Sequence, residues 1–141
     1  MLIIMDANDY IKFANENPIS CIATMDGDQP RVRAMMMWYA DKTGLYYSTA
    51  ANKDFYRQLK SNPKVEVCFS KGMDMIRVSG QVEFINDLEN KKKLLDARPF
   101  LKQAGLTPEN PGLIVFRIAK CKAQSWSRET NAAAKTYVTF G

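Results

Sequence analysis

The stretch ISCIATMDGDQPRVRAMMMWY, residues 19–39, contains the strongest fold signal in the chain. A run rich in apolar residues leads into Asp26-Gly27, a dipeptide that strongly favours a tight turn between two strands. A second such run follows, and we predict that it returns as the antiparallel partner strand. Arg31 and Arg33 lie at the start of that returning strand, which raises the question of which anion they face.

Strand and helix signals alternate along the rest of the chain, with short connections between them. Period-two patterns predict four more strands, and helical spacing predicts three helices. The strands cover residues 45–49, 64–70, 75–85 and 112–126, and the helices begin near Asp6, Asn52 and Asp87. The resulting six strands and about three flanking helices predict one α+β domain, residues 1–141, built on a mainly antiparallel barrel.

The chain of 141 residues contains no histidine. Its absence removes the commonest general base and metal ligand, and with them every triad that relies on imidazole. Chemistry near neutral pH would then need a borrowed group, and a cofactor is the natural source. The three cysteines, Cys21, Cys68 and Cys121, lack the paired spacing of zinc or redox sites. We therefore expect each of them to be a small buried residue.

The net charge of +5 suits an anionic partner, but the positive charge is not concentrated enough to indicate nucleic acid. The apolar opening MLIIM is too short for a signal peptide or a membrane span. We therefore expect a cytoplasmic protein that binds neither nucleic acid nor membrane.

The junction that follows the strand at 45–49 carries a second group of candidate residues. Free backbone amides at a helix start attract anions, Ser48 and Thr49 add hydroxyl donors, and Lys53 adds a charge. If the strand at 31–39 pairs with the strand at 45–49, Arg33 projects toward this junction. A guanidinium binds phosphate oxygens well, through two parallel hydrogen bonds. Each part has a common structural alternative, such as solvated charges or core methionines. Only the combination favours a phosphate site.

The order IATMDGDQPRVRAM, GLYYSTAANKDFYRQLKSNPKVEVCF and IRVSGQVEFI resembles the pyridoxamine 5′-phosphate oxidase-like FMN-binding split barrels, over roughly residues 8–126. The small members, of the 5-nitroimidazole reductase and general stress protein type, are the most similar. The resemblance implies a split β-barrel and a homodimer with flavin at the subunit interface. It also implies cofactor-binding roles for Arg33, Ala34, Met35, Met36, Ser48, Thr49, Asn52, Lys53 and Trp126.

Within this implied site, Arg33 and Lys53 would bind the phosphate, with Ser48 and Thr49 as the hydroxyl pair. The backbone of residues 34–36 would face the polar edge of the flavin ring, and Trp126 would border the ring. The chain departs from true pyridoxamine phosphate oxidases at Trp38, where those enzymes have a lysine. It also lacks their basic C-terminal substrate motif. These departures argue against vitamin B6 oxidation.

The function that we expect is a flavoprotein, an oxidoreductase that passes electrons or hydride from reduced FMN to a small acceptor. No catalytic side chain can be nominated. A carrier or sensor of flavin without turnover is the alternative, and a nucleic-acid-binding barrel is a weaker one. For the tail at 127–141, disorder and a small strand across the dimer both stay open.

Overall fold

The structure, a computed structural model, describes residues 5–132 and 136–141. Within these ranges the chain forms eight strands, which belong to one sheet, and four helices. The helices are α1 (Ala7–Glu16), α2 (Asp54–Ser61), α3 (Leu88–Ala97) and α4 (Pro99–Gln103). The strands are β1 (Ile19–Asp26), β2 (Gln29–Met36), β3 (Tyr39–Asp41), β4 (Gly44–Ala50), β5 (Lys64–Lys71), β6 (Asp74–Ile85), β7 (Leu113–Trp126) and β8 (Val138–Phe140).

The predicted hairpin is present as β1 and β2. These strands pair antiparallel from Ile19↔Met36 to Asp26↔Gln29, and Gly27 has a φ of 63° in the turn between them. Glycine adopts this left-handed conformation without steric cost, which explains why Asp-Gly marks the turn. The sheet order is β2-β1-β5-β6-β7-β4-β3, with β8 added beside β7.

The two ends of this sheet meet at Met37 and Trp38. The Met37 N–H donates to Pro18 O (2.8 Å), whereas the next N–H, of Trp38, donates to Tyr46 O (2.8 Å). Across the interior, the Ser20 and Tyr47 hydroxyls form a 2.7 Å hydrogen bond. Two neighbouring residues thus bond to opposite ends of the sheet. The sheet closes into a split barrel, and the predicted α+β split-barrel class is confirmed.

The predicted number of six strands is wrong. Residues 31–39 do not form one strand, because the chain changes pairing partner at Met37 and Trp38, so that β3 is separate. The eighth strand comes from the tail. The β8 residues Val138–Phe140 pair with β7 of the same chain, so the described part of the tail does not need a second chain to form a strand.

The barrel interior is filled by large apolar side chains from facing strands. Tyr47 and Phe116 stack with their ring centroids 5.6 Å apart, and Phe55 of α2 packs edge-on against Phe116 at 5.7 Å. A second, smaller cluster lies between α3 and the start of β7. It contains Leu94, Leu95, Leu113 and Val115.

Cysteine burial differs from the prediction. Cys121 is buried, but Cys68 is half-buried and Cys21 is exposed. Cys21 and Cys68 pair across β1 and β5 on the outer face of the sheet, because alternation places Ser20 and Ile22 inside. The apolar runs around Cys21 and Cys68 therefore gave a misleading indication of burial.

Candidate functional site

Arg33, Thr24 and Gln58 form a closed triangle of hydrogen bonds. Arg33 Nη1 donates to Thr24 Oγ1 (2.9 Å) and its Nη2 donates to Gln58 Oε1 (2.8 Å). The Thr24 hydroxyl in turn donates to Gln58 Oε1 (2.6 Å). Thr24 and Gln58 are 2% and 3% exposed, so the acceptors that orient the guanidinium are fixed within the fold. Buried, fully paired polar groups of this kind hold one geometry.

The Arg33 guanidinium also stacks over an aromatic ring. Its central carbon lies 4.5 Å from the centroid of Phe55, at the start of α2. Burial lowers the pKa of Arg33, with a smaller effect in the same direction from Arg31 and an opposing one from Asp54. A guanidinium nevertheless stays charged, and it carries five N–H donors. Two of them are used in the triangle, and the others remain for an anion.

Thr49 lies on the same face of β4 as Tyr47, two residues farther toward α2. It is 8% exposed, and its Oγ1 is buried without a hydrogen-bond partner among the described residues. A chain of ring contacts links this part of β4 to Arg33. Phe55 contacts the guanidinium and packs against Phe116, and Phe116 stacks on Tyr47 of β4. Buried hydroxyls normally have a partner. A buried hydroxyl that lacks one within the described residues suits a ligand oxygen.

The remaining residues of this junction are divided between two faces. Ser48 is half-buried and faces away from Thr49, since neighbouring strand residues point in opposite directions. Asn52 is exposed and does not cap α2 as predicted. Lys53 is the N-cap instead, without a side-chain capping bond, and its exposed ammonium forms no ion pair with any residue in the described ranges. Thr49 and Lys53 thus remain the better candidates at this junction, because Thr49 faces inward and Lys53 begins the helix whose Phe55 contacts Arg33.

The second arginine of the RVR sequence has a different role. Arg31 Nε lies 3.4 Å from Asp26 Oδ2, and Arg57 Nη1 lies 3.2 Å from Asp26 Oδ1. The hydrogen bond from Arg57, and more weakly that from Arg31, lowers the pKa of Asp26. Arg31 is therefore neutralised at the hairpin turn, and Arg33 is the arginine directed toward α2.

Strand β2 ends the sheet path and presents backbone groups at its open edge. Met37 N–H follows the β1 pairing, whereas Arg98 Nη2 reaches Met36 O from the other side (3.3 Å). Residues of an antiparallel edge strand alternate in this way, so the N–H and C=O groups of Ala34 and Met36 face away from β1. Met35 has its side chain half-buried on the Arg33 face, and Met36 is 53% exposed on the outer face.

Trp126 lies far from these residues within one chain. Thr49 pairs with Ile114 near the start of β7, whereas Trp126 is the last residue of that strand. Trp126 pairs with Met75 instead, and both line a cavity of about 620 Å³ between α1 and the β5–β6 hairpin. Arg33, Thr49 and Lys53 are thus grouped at one end of the barrel, and Trp126 is not among them.

Three participants were not predicted from the sequence. Gln58 lies three residues from Phe55 on the buried face of α2, so a polar residue in an apolar stripe was the available signal. Thr24 continues the inward alternation of Ser20 and Ile22 on β1, which also marks it as buried. For Arg98, whose contact with Met36 depends on how α3 packs, the sequence offered no signal.

Comparison with known proteins agrees with this fold. The family model of pyridoxamine 5′-phosphate oxidase matches residues 9–127. A pyridoxine/pyridoxamine 5′-phosphate oxidase of Vesicomyosocius okutanii subsp. Calyptogena okutanii (strain HA) is 31% identical over 86 residues, 60% of this chain and 40% of that protein. The chain belongs to the pyridoxamine 5′-phosphate oxidase family, as its sequence resemblance indicated. It spans less than half the length of that curated relative.

Two solved structures of small proteins are similar over most of their length. A NimC/NimA family protein from Clostridium acetobutylicum has a TM-score of 0.77 and 27% identity, covering 94% of this chain and 91% of that one. General Stress Protein 26 from Bacillus anthracis str. Sterne has a TM-score of 0.71 and 23% identity, covering 86% and 94%. Both small types that the sequence resembled are therefore among the structural neighbours.

Proposed function

We propose that this protein binds FMN and uses it as an oxidoreductase, passing electrons or hydride from the reduced flavin to a small acceptor. The carrying observation is the Arg33 triangle at the start of α2, together with a buried Thr49 hydroxyl, on the strand that leads to this helix, that has no partner in the described ranges. Membership of the pyridoxamine 5′-phosphate oxidase family supports a flavin as the ligand of this site.

The donor set fits a phosphate group. Arg33 offers several N–H groups in a fixed plane, and Lys53 offers an exposed ammonium at the start of α2. Thr49 offers a hydroxyl that no described residue hydrogen-bonds. Charged donors of this kind bind phosphate oxygens through short, strong hydrogen bonds. Arg31 pairs with Asp26, and Arg57 pairs with both Asp26 and Asp54, whereas Arg33 has no ion pair within the described residues.

The β2 edge fits the polar side of a flat ring system. The outward-facing backbone of Ala34 and Met36 provides donors and acceptors at fixed positions, as cofactor sites commonly do. Met35 provides polarizable, half-buried surface on the Arg33 side of the strand. Bound FMN would supply the redox chemistry, and these groups would bind it, orient it and limit the access of water.

A second copy of the chain completes the proposed site. Within one chain Trp126 and Met75 line a cavity that does not include Arg33, and we propose that a symmetric partner brings them to the open side of β2. The outer face of the β1–β2 hairpin is suited to such a contact, with Ile19 67% exposed and Val32 70% exposed. Exposed apolar groups that adjoin on one face often mark a subunit interface. We propose a homodimer with flavin at this interface.

We propose that this protein does not oxidise vitamin B6, in contrast to the curated relative. Trp38, at the position where the resemblance places a lysine of the true oxidases, packs edge-on against Tyr39 at 4.8 Å and against the Leu94 cluster. It has no ionisable group to offer to a substrate phosphate. We propose a reducing, cytoplasmic setting for the chain, because its three cysteines are unpaired.

The deciding experiment is the visible absorption spectrum of the freshly purified protein, with the released chromophore identified by mass. We expect FMN, rather than FAD, near one per chain. A colourless protein that also takes up no added FMN would refute the proposal. Turnover with a reductant and an electron acceptor then separates the enzyme from a carrier or sensor, which would hold flavin without catalysing transfer.

A further inference from the structure

A second cavity, of about 550 Å³, lies between α2, α3 and the adjoining ends of β6 and β7. Its volume is within the range of small-molecule sites. It is separate from the Arg33 site, because Gln58 faces Arg33 whereas Tyr56 and Lys60 of the same helix line this cavity. At about 100° per residue, Gln58 and the Tyr56–Lys60 pair are on opposite sides of α2.

A buried cation lines the cavity. Lys91 of α3 is only 6% exposed, and within the described part of the chain its Nζ makes one hydrogen bond, of 3.3 Å, to Asn86 Oδ1. No carboxylate of the described residues pairs with it, since the nearby Asp87 is engaged by the N–H and side chain of Asn90. A lysine ammonium has three donors and is rarely buried without a partner. Lys91 thus has unused donors beside the cavity.

The lining of the cavity also contains aromatic residues. Tyr56 and Phe84 pack edge to face with their ring centroids 5.4 Å apart, and Phe84 is 41% exposed. The Lys60 ammonium lies 5.2 Å from the Tyr56 ring centroid, which places a second cation beside this ring. Pro111 and Ile114 add apolar surface. The cavity therefore combines flat apolar surface with two positive charges.

We propose that this cavity is a second ligand site, selective for a small aromatic carboxylate. The carboxylate would accept hydrogen bonds from the Lys91 ammonium, and the ring would pack against Tyr56 and Phe84. Such a ligand supplies the acceptor that Lys91 lacks and covers the exposed ring of Phe84. The site is independent of flavin, since it shares no residue with the Arg33 triangle.

The test is a calorimetric titration of naphthoate, an aromatic carboxylate that fits the cavity volume, into the purified full-length protein. We expect Lys91→Met to weaken binding roughly tenfold to a hundredfold, because a charge-assisted hydrogen bond is lost. Phe84→Ala should also weaken it, and because this side chain is exposed the variant should fold normally. Lys92→Met, which removes an exposed ammonium next in sequence, is the matched control and should bind as the wild type does.

Two further ligands test the need for the carboxylate and for the ring, and the flavin absorption spectrum tests whether naphthoate binds outside the flavin site. Naphthyl methanol, which lacks the carboxylate, should bind weakly and be insensitive to Lys91→Met, and inorganic phosphate should bind more weakly than naphthoate. Wild-type protein that ignores millimolar naphthoate, or a Lys91→Met variant that binds it equally well, would overturn the proposal. Displacement of bound flavin by naphthoate would also overturn it, because the ligand would then occupy the Arg33 site.

Discussion

At the scale of single residues, the geometry of Arg33 is set before any ligand arrives. Its guanidinium is held by Thr24 and Gln58, which bond to each other as well, and its flat face lies on Phe55. Fixing a long side chain in advance lowers the entropy lost on binding. Arg33 is thus better suited to recognise an anion than the exposed Arg31, which is already paired with Asp26.

Removal of either proposed phosphate-binding cation should weaken FMN binding without unfolding the protein. For Arg33→Ala and for Lys53→Ala we expect a loss of about 1.5–3 kcal/mol in binding free energy, which is roughly tenfold to a hundredfold in affinity. Fluorescence titration of apoprotein with FMN measures this change. Lys42→Ala, at an exposed turn position, is the charge-matched control. Unchanged affinity in both variants would refute the phosphate site.

Gln58 should act on flavin binding through Arg33. Gln58→Leu keeps the size of the side chain but removes the acceptor that Thr24 and Arg33 share. We expect a cost of about 1–3 kcal/mol in the free energy of unfolding, because buried donors lose their partner. We also expect weaker FMN binding at temperatures where the variant is fully folded.

The matched control for Gln58 is Gln103→Leu, an exposed position on α4. It should leave both the stability and the FMN affinity unchanged. If Gln58→Leu lowers stability but binds FMN as the wild type does, Gln58 is a structural residue only and does not position Arg33.

Sequence reasoning selected Arg33 and Lys53 as candidates, because charge at a strand–helix junction is visible in the sequence, and their role stays a prediction. It also treated Ser48 and Thr49 as one hydroxyl pair, whereas the barrel directs them to opposite faces. Gln58 was missed because its partner Thr24 is 34 residues away, and nothing local reveals such a contact. The sequence thus indicates the charges, and the fold determines which groups orient them.

At the scale of elements, the pairing of β6 with β7 depends on one irregularity. Ser79 pairs with Lys122 and Gln81 with Ala119, so that Gly80 faces two β7 residues, and Lys120 adopts a φ of 53°. This is a β-bulge, which bends a strand and increases its twist. The bend allows β7 to pair with β6, β4 and β8, the contacts that hold the barrel together.

Gly80→Ala should destabilise the fold at this bulge. A Cβ at residue 80 would lie 2.6 Å from the backbone oxygen of Ala119 and 2.6 Å from Ile118 Cγ2, and the backbone cannot easily move aside. We expect a loss of about 1–3 kcal/mol in the free energy of unfolding, measured by denaturant titration. The neighbouring Ser79→Ala should change it by less than about 0.5 kcal/mol. Equal stability of the two variants would contradict this view of the bulge.

The separate strand β3 shows why the element count was incomplete. Residues 35–38 contain no turn-forming residue, so the sequence continues as one strand. The interruption depends on Pro18 and Tyr46, which bond to adjacent N–H groups from opposite ends of the sheet. Closure of a barrel is a long-range property, and a local pattern cannot show it.

At the scale of the whole molecule, a buried tyrosine hydroxyl and a buried cysteine thiol lower the stability of the fold at alkaline pH. Burial raises the pKa of Tyr47 well above its ordinary value of 10.0, and that of the Cys121 thiol from 9.0 to about 12. As the pH rises above these ordinary values, the unfolded chain loses protons that the folded chain retains. The free energy of unfolding should therefore fall steadily at alkaline pH and be unaffected near neutrality.

Tyr47→Phe tests this alkaline effect. The variant loses the bond to Ser20, at a cost of about 0.5–1.5 kcal/mol near neutral pH, but Ser20 keeps its bond to Met35 O. Above pH 10 its stability should decline less steeply than that of the wild type, in denaturant titrations at a series of pH values. The exposed Tyr137→Phe is the control. Parallel decline of the Tyr47 variant and the wild type would contradict the assignment.

The proposed dimer connects the two ends of the molecule and gives the strongest whole-molecule prediction. Val32 is 70% exposed on the outer face of β2, so Val32→Glu should leave the monomer fold intact while placing a charge in the proposed interface. We expect sedimentation velocity to show dimers for the wild type and a shift toward monomers for the variant. FMN content should fall in parallel, because in the proposed dimer Arg33 of one chain and Trp126 of its partner contact the same flavin.

Leu88→Glu is the matched control, since Leu88 is an apolar residue on α3 with 56% exposure. It should remain dimeric and keep its flavin, which would show that the effect depends on the position of the charge. A monomeric wild type that binds one FMN tightly would contradict the shared site. The flavin would then be bound by Arg33, Thr49 and Lys53 without residues of a second chain. The cavity around Met75 and Trp126 would not be part of the flavin site.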